Sequence, residues 1–190
     1  MKPIFTFIAA TGLACCAASV AAHSQQASAL PQPCLHVETT VNIVVHAPYA
    51  VAAPLFGPLG ERLWEGDRRR PVFIHPQPAA DVEGAVFTVR YDQLTESWVN
   101  TLFDLEGRHF QYVYFMPDLM VTVVDVRFEP IGSQETNVSI VFTRTALTSR
   151  SNSHVRAASE ADKTSAKFFQ SAIDAYLKRV TTAAQTGSSN

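Results

Sequence analysis

Metal binding and nucleophilic attack leave the plainest marks on a sequence, and this chain carries few of either. Its six histidines, His23, His36, His46, His75, His109 and His154, are scattered. His36 and His46 share one face of a strand, but ten residues of strand separate them by roughly 33 Å, too far to bind one metal. The cysteines are Cys15, Cys16 and Cys34. The first two fall in an N-terminal apolar run that is expected to be removed, so Cys34 alone builds neither a thiolate metal site nor an internal disulfide. There is no Gly-rich phosphate loop, no His-Glu-x-x-His, and no nucleophile beside a readable base. No metal and no cofactor are expected, and no catalytic residue is assigned.

A weaker signal comes from alternation along strands. Val138, Ile140, Phe142 and Arg144 fall on one face of the last strand, and Asn137, Ser139, Thr143 and Thr145 on the other. Phe110, Tyr112, Tyr114 and Met116 share a face, as do Met120, Thr122, Val124, Val126 and Phe128, and as do Phe87, Val89 and Tyr91. A few polar groups among aromatic and aliphatic walls is the composition of a small-molecule pocket. The candidate ligand-binding residues are therefore Arg144, Tyr91, Tyr112, Tyr114, Thr122 and Phe142. Arg144 has two readings. It anchors an anionic ligand head, or it is structural, with a wet head on a buried stem or a pairing with a helix carboxylate such as Asp174; the structural reading stands slightly ahead. Trp64 and Trp98 read as packing residues, Arg68-Arg69-Arg70 as a solvated loop, and Asp125, Arg127 and Glu129 as an outer face. No carboxylate is seen to face inward, which weakens any acid–base mechanism.

The elements that must hold these residues follow from period and punctuation. His36 to His46 alternates as a half-buried strand. Pro48 starts a short helix over Tyr49 to Phe56, Gly57-Pro58 breaks it, and Leu59 to Glu65 forms a second. Strands are expected at Val72–His75, Ala85–Tyr91, Glu96–Leu105, His109–Met116, Leu119–Glu129 and Glu135–Leu147. Their short links, among them Glu106-Gly107, Pro117-Asp118 and Gly132-Ser133, imply an antiparallel meander. Phe169, Ala172, Ile173, Tyr176, Leu177 and Val180 then follow the period of an amphipathic helix. It is expected to start between Val155 and Glu160, with Ser159 and Asp162 as a capping box, and to end near Val180. A single terminal helix must cover the apolar face of the meander. Where a curved sheet and a straight helix do not meet, a cavity opens.

Composition sets the class. The 190 residues suit one domain of ordinary size, and 47% hydrophobic against 17% charged residues is a globular balance. A net charge of −2 gives no basic face for nucleic acid. Lys2 followed by an uncharged run from Pro3 to Ala22 reads as a signal peptide, cut after Ala22 or, alternatively, after Ala29. The expected organisation is then a signal over 1–22, a linker over 23–34, a folded domain over 35–180 and a polar tail over 181–190. The protein is expected to be periplasmic or secreted. It meets the membrane only in transit or, in a less favoured reading, as a lipoprotein acylated at Cys16, where Cys15 spoils the usual small residue.

The element order, with Val44-Val45-His46-Ala47-Pro48, Gly60-Glu61-Arg62-Leu63-Trp64, Gly84-Ala85-Val86-Phe87-Thr88 and the long terminal helix, resembles the START/polyketide-cyclase-like (SRPBCC) superfamily. The resemblance covers essentially the whole domain. It implies an α+β helix-grip fold: a curved antiparallel sheet of about seven strands, two short helices after the first strand, and a long C-terminal helix packed on the sheet. It also implies a deep apolar cavity for a hydrophobic small molecule or lipid. Most members carry such ligands and a minority act on them, and fold alone does not choose between the two. Three functions stay open: an exported binder, which is favoured; a cyclase- or dehydratase-like enzyme; and an interaction module with a filled cavity.

Overall fold

The computed structural model describes residues 32–66, 69–91 and 94–187, with only the backbone described for Tyr91 and Gly187. The signal-type segment 1–22 and most of the linker lie outside the described residues. Strand β1 (His36–Val45) leads into helix α1 (Tyr49–Ala52), a 3-10 turn (Ala53–Phe56) and helix α2 (Pro58–Glu65). Strands β2 (Val72–His75), β3 (Val86–Tyr91), β4 (Leu94–Asp104), β5 (His109–Met116), β6 (Met120–Pro130) and β7 (Thr136–Ala146) follow, then helix α3 (Asn152–Gly187).

All strands pair antiparallel in one sheet of order β1-β7-β6-β5-β4-β3-β2. The chain therefore uses α1 and α2 to cross from one edge of the sheet to the other. It then returns strand by strand until β7 closes against β1. The sheet curves around α3, with its apolar residues on the concave face. Pairing aligns those residues in rows. One row runs Phe87, Trp98, Tyr114, Thr122, Arg144, Val37, and the next runs Asn100, Tyr112, Val124, Phe142, Thr39.

Packing of α2 against the preceding turn depends on Gly60. A Cβ there would lie 1.8 Å from the Pro54 carbonyl oxygen and 2.9 Å from Leu55 Cα. The indole of Trp64, one turn on, donates to the Leu55 carbonyl at 2.7 Å. It also meets the Phe169 ring edge-on at 5.6 Å, joining α2 to α3.

The terminal helix differs from its expected bounds at both ends. It starts at Asn152 and runs on through 181–187, so most of the segment expected as a polar tail is exposed helix. The capping box is formed by Thr148 and Ser151, which bond each other's backbone around a 3-10 turn (Ser149–Ser151), and not by Ser159 and Asp162. Those two lie inside the helix, on the stripe Val155, Ser159, Asp162, Ala166, Phe169, Ile173 that faces the sheet. Asn152 fastens the start of α3 to the N-terminal segment, accepting from Leu35 N–H at 2.7 Å and donating to the Pro33 carbonyl at 2.9 Å. Gln170 pairs with both backbone groups of Val44, at 3.0 and 2.7 Å, much as a neighbouring strand would.

Candidate functional site

Among the described residues, two assemblies lie between the helices and the concave face: a buried polar network and an aromatic cavity. The first is the row that carries Arg144. Its guanidinium binds Asp162 of α3 through both oxygens, at 2.8 and 2.7 Å, donates to Thr122 Oγ1 at 3.0 Å and bonds the Tyr114 hydroxyl. Arg144 is 5% exposed and Asp162 7%. Burial works against the charge on Arg144, but the Asp162 carboxylate and the Tyr114 oxygen outweigh it and hold its pKa above the ordinary value. Beside it, Thr39 Oγ1 and Ser159 Oγ meet at 2.6 Å. The partner of Arg144 is Asp162, not Asp174. Asp174 instead bonds His46 at 3.1 Å and Gln170 on the outside of the same helix.

The second assembly is a cavity of about 40 Å³. Its floor is Trp98, Tyr112, Val124, Val126, Ile140 and Phe142 from β4 to β7; Phe56, Pro58, Glu61 and Trp64 cover it from the α1–α2 segment, and Phe169 from α3. Phe87 of β3, Glu65 and Arg69 complete the wall. At ~10–15 Å³ for each water, the space takes about three waters in this shape. Walls so rich in aromatic rings follow from the cross-strand register. Phe73, Phe87, Trp98 and Tyr114 stack in sequence across β2 to β5, with centroid separations of 5.3, 5.9 and 4.2 Å.

Most polar atoms of the cavity wall are engaged with the protein. Tyr112 donates to the Phe56 carbonyl at 2.7 Å, Trp98 Nε1 to Glu96 Oε2 at 2.8 Å, and Trp64 Nε1 to the Leu55 carbonyl. Burial, with Glu61 and Asp81 adding their charges, pushes the Tyr112 phenol far above its ordinary range. The Glu61 carboxylate accepts from Arg69 Nε at 3.0 Å and keeps 20% of its side chain exposed. Its pKa is raised to about 7: burial disfavours the anion, Arg69 opposes that, and Glu65 and Asp81 reinforce it. Burial likewise raises Asp81, against the N–H groups of Leu59 and Gly60, and raises Glu96, against its bond from Trp98. Arg69 also lies over the Trp98 ring, with Cζ 4.3 Å from the centroid.

Of the residues chosen from sequence, Tyr112 and Phe142 line this cavity. Arg144, Tyr114 and Thr122 form the neighbouring buried network, outside the cavity lining. Tyr91 ends β3, and its side chain lies outside the described residues. The expectation that no carboxylate faces inward is corrected by Glu61, Glu96 and Asp162. Arg69 is corrected too: it packs into the wall, 18% exposed, and is not a solvated loop residue. Trp64 and Trp98 are wall residues as well as packing residues. The signal missed for Glu61 was its spacing from Trp64 and Glu65, which places the three on neighbouring positions of one short helix.

No family model matches the sequence, and no curated protein matches it. Solved structures do resemble it. Norcoclaurine synthase from Thalictrum flavum, in complex with dopamine and hydroxybenzaldehyde, superposes with a TM-score of 0.53 at 10% identity, over 79% of this chain and 88% of that one. Ara h 8.0201 gives 0.54 at 12% identity, over 76% and 99%. The Zhui aromatase/cyclase from Streptomyces sp. R1128 gives 0.53 at 16% identity, over 78% and 96%. The chain has the helix-grip fold. Identities this low carry the architecture and not the chemistry. In this chain the space between sheet and long helix holds the aromatic cavity above, lined in part by Trp64, Phe169 and Arg69.

Proposed function

We propose that this protein is an exported binder of a hydrophobic small molecule, held in the cavity between α2, α3 and the concave face of the sheet. The observation that carries the reading is the wall itself: aromatic and aliphatic on nearly every side, with its indole and phenol donors already bonded internally. Such a surface rewards an apolar guest and leaves few groups to orient it. A ligand of one or two rings is favoured over a lipid, because a 40 Å³ space must widen even for a single ring. The export half of the proposal rests on Lys2 and the uncharged run to Ala22. N-terminal sequencing of the protein recovered from outside the cytoplasm tests it, with a start at His23 as the expected result. Native mass spectrometry of the same material tests the binder. A bound mass that solvent extraction removes supports the proposal, and a compound-free protein that takes up no aromatic probe counts against it.

A second reading, catalysis, is favoured by one specific observation. Glu61 lines the cavity with its pKa raised to about 7, where a general base or acid works best near neutral pH. Among the similar structures, one is named as a synthase and one as an aromatase/cyclase. A turnover rate that rises with pH through about 7 and disappears in Glu61→Gln would move the assignment from carrier to enzyme.

A further inference from the structure

We propose that the outer face of α3 docks the protein on an anionic membrane surface, with the helices that cover the cavity turned toward the lipid. The distribution of charge carries the inference. α3 holds five basic residues, Arg156, Lys163, Lys167, Lys178 and Arg179, against three acidic ones, in a chain whose net charge is −2. All five basic residues are exposed. Of the acidic three, Asp162 is buried on Arg144 and Asp174 is bonded to His46 and Gln170. Glu160 is the most exposed of them and is paired with Lys163 at 2.6 Å. Arg156, Lys163, Lys167 and Lys178 follow one another at intervals of 7, 4 and 11 residues. At about 100° per residue, that spacing keeps them within an arc of about 60° on one side of the helix.

Apolar side chains accompany these charges. Phe168 is 41% exposed on α3, one residue before Phe169, and Leu63 is 50% exposed on α2, one residue before Trp64. Phe169 and Trp64 meet edge-on in the cavity wall, so Phe168 and Leu63 stand outside the two helices that roof the cavity. A lipid interface takes both kinds of group at once. Its phosphates attract Lys and Arg, and the headgroup boundary accepts a shallow aromatic or aliphatic side chain. A soluble polyanion rewards only the charges. Among the described residues no helix is long and apolar enough to cross a membrane, so the contact is with its surface. An apolar guest concentrates in lipid, and docking by this face brings the cavity to it. The docking itself does not rest on what the cavity holds.

The test is co-sedimentation of the purified protein with vesicles of phosphatidylglycerol and phosphatidylcholine in equal parts, compared with phosphatidylcholine alone. An apolar N-terminal run would bind both alike, so the contrast between them is the readout. Binding to the anionic vesicles is expected at ~0.1 M salt, with release at ~1 M, where the Debye length falls to about 3 Å. Each charge removed from the arc should weaken it about fivefold, so Lys167→Gln with Lys178→Gln should cost about 25-fold. Phe168→Ser should weaken it as well. Arg127→Gln removes a charge whose side chain is 65% exposed on the convex face of the sheet, and should leave binding unchanged. Equal sedimentation with both vesicle types, or with neither, overturns the inference. So does anionic binding that survives the double Lys→Gln variant, or that falls as much in Arg127→Gln as in Lys167→Gln. Tighter binding to heparin than to the anionic vesicles overturns the membrane in favour of a soluble polyanion. The cavity reading stands or falls separately, on uptake of ethylbenzene.

Discussion

Removing the carboxylate of Asp162 is the sharpest test of how α3 is fastened to the sheet. In Asp162→Ala the Arg144 guanidinium keeps its place, 5% exposed and bonded to Thr122 and Tyr114, but loses the two bonds of 2.8 and 2.7 Å that balance its charge. An uncompensated buried charge costs about 3–5 kcal/mol. For a domain of this size each kcal/mol moves Tm by about 2–4 °C, so the melt should fall by roughly 6–20 °C. The paired change Arg144→Met with Asp162→Leu removes both charges and fills the space with apolar atoms. It should recover most of the loss, since buried ion pairs are often replaceable by well-packed hydrophobic residues. Urea unfolding of wild type, Arg144→Met, Asp162→Leu and the double variant supplies the cycle. A loss below about 1 kcal/mol in Asp162→Ala, or a double variant no better than the singles, would refute the reasoning. The same cycle separates the two readings of Arg144: a ligand anchor would lose probe affinity without losing stability.

Other outcomes follow from particular residues. Burial raises the Glu61 pKa from 4.5 to about 7 in the folded protein, so the stability this adds is full below about pH 4.5 and is lost as pH rises through 7. Asp81 and Glu96 shift in the same direction. Urea midpoints measured from pH 4 to 8 should show the wild type falling relative to Glu61→Gln, by up to about 3 kcal/mol; parallel curves would count against a protonated Glu61. Gly60→Ala drives a methyl into the Pro54 carbonyl and should cost about 1–3 kcal/mol or more in a thermal or urea melt. Asn152→Ala strips the bonds to Leu35 and Pro33 and should cost about 1–3 kcal/mol, with faster hydrogen exchange at Leu35 as the local signature.

The strands were legible because each carries its own alternation. Val41, Ile43 and Val45 point inward from β1, and Phe110, Tyr112, Tyr114 and Met116 from β5, as the two-residue period requires. Which strand lies beside which was legible only as a meander. The closure of β7 on β1, which sets Arg144 opposite Val37, is a long-range pairing with no local signature. The helix start was misread for a definite reason. Ser159 and Asp162 have the spacing of a cap, and they also have the spacing of two polar residues on a buried stripe, where they meet Thr39 and Arg144. The site was half legible. Tyr112 and Phe142 could be placed by strand parity. Glu61 could be grouped with Trp64 and Glu65 by helical spacing but not placed at the cavity, and Arg69 could not be placed at all, because α2 and the following segment reach the cavity through tertiary packing.

The central claim, that this domain takes an apolar guest between its helix and its sheet, is tested most directly by methyl NMR. Val124, Val126 and Ile140 present methyl groups on the cavity floor, while Ile74 and Val180 lie on the exposed surface. Titration with ethylbenzene should shift the first three resonances to a common saturation point and leave the last two in place. Shifts confined to Ile74 and Val180, or none at any concentration up to the solubility limit, would contradict the account.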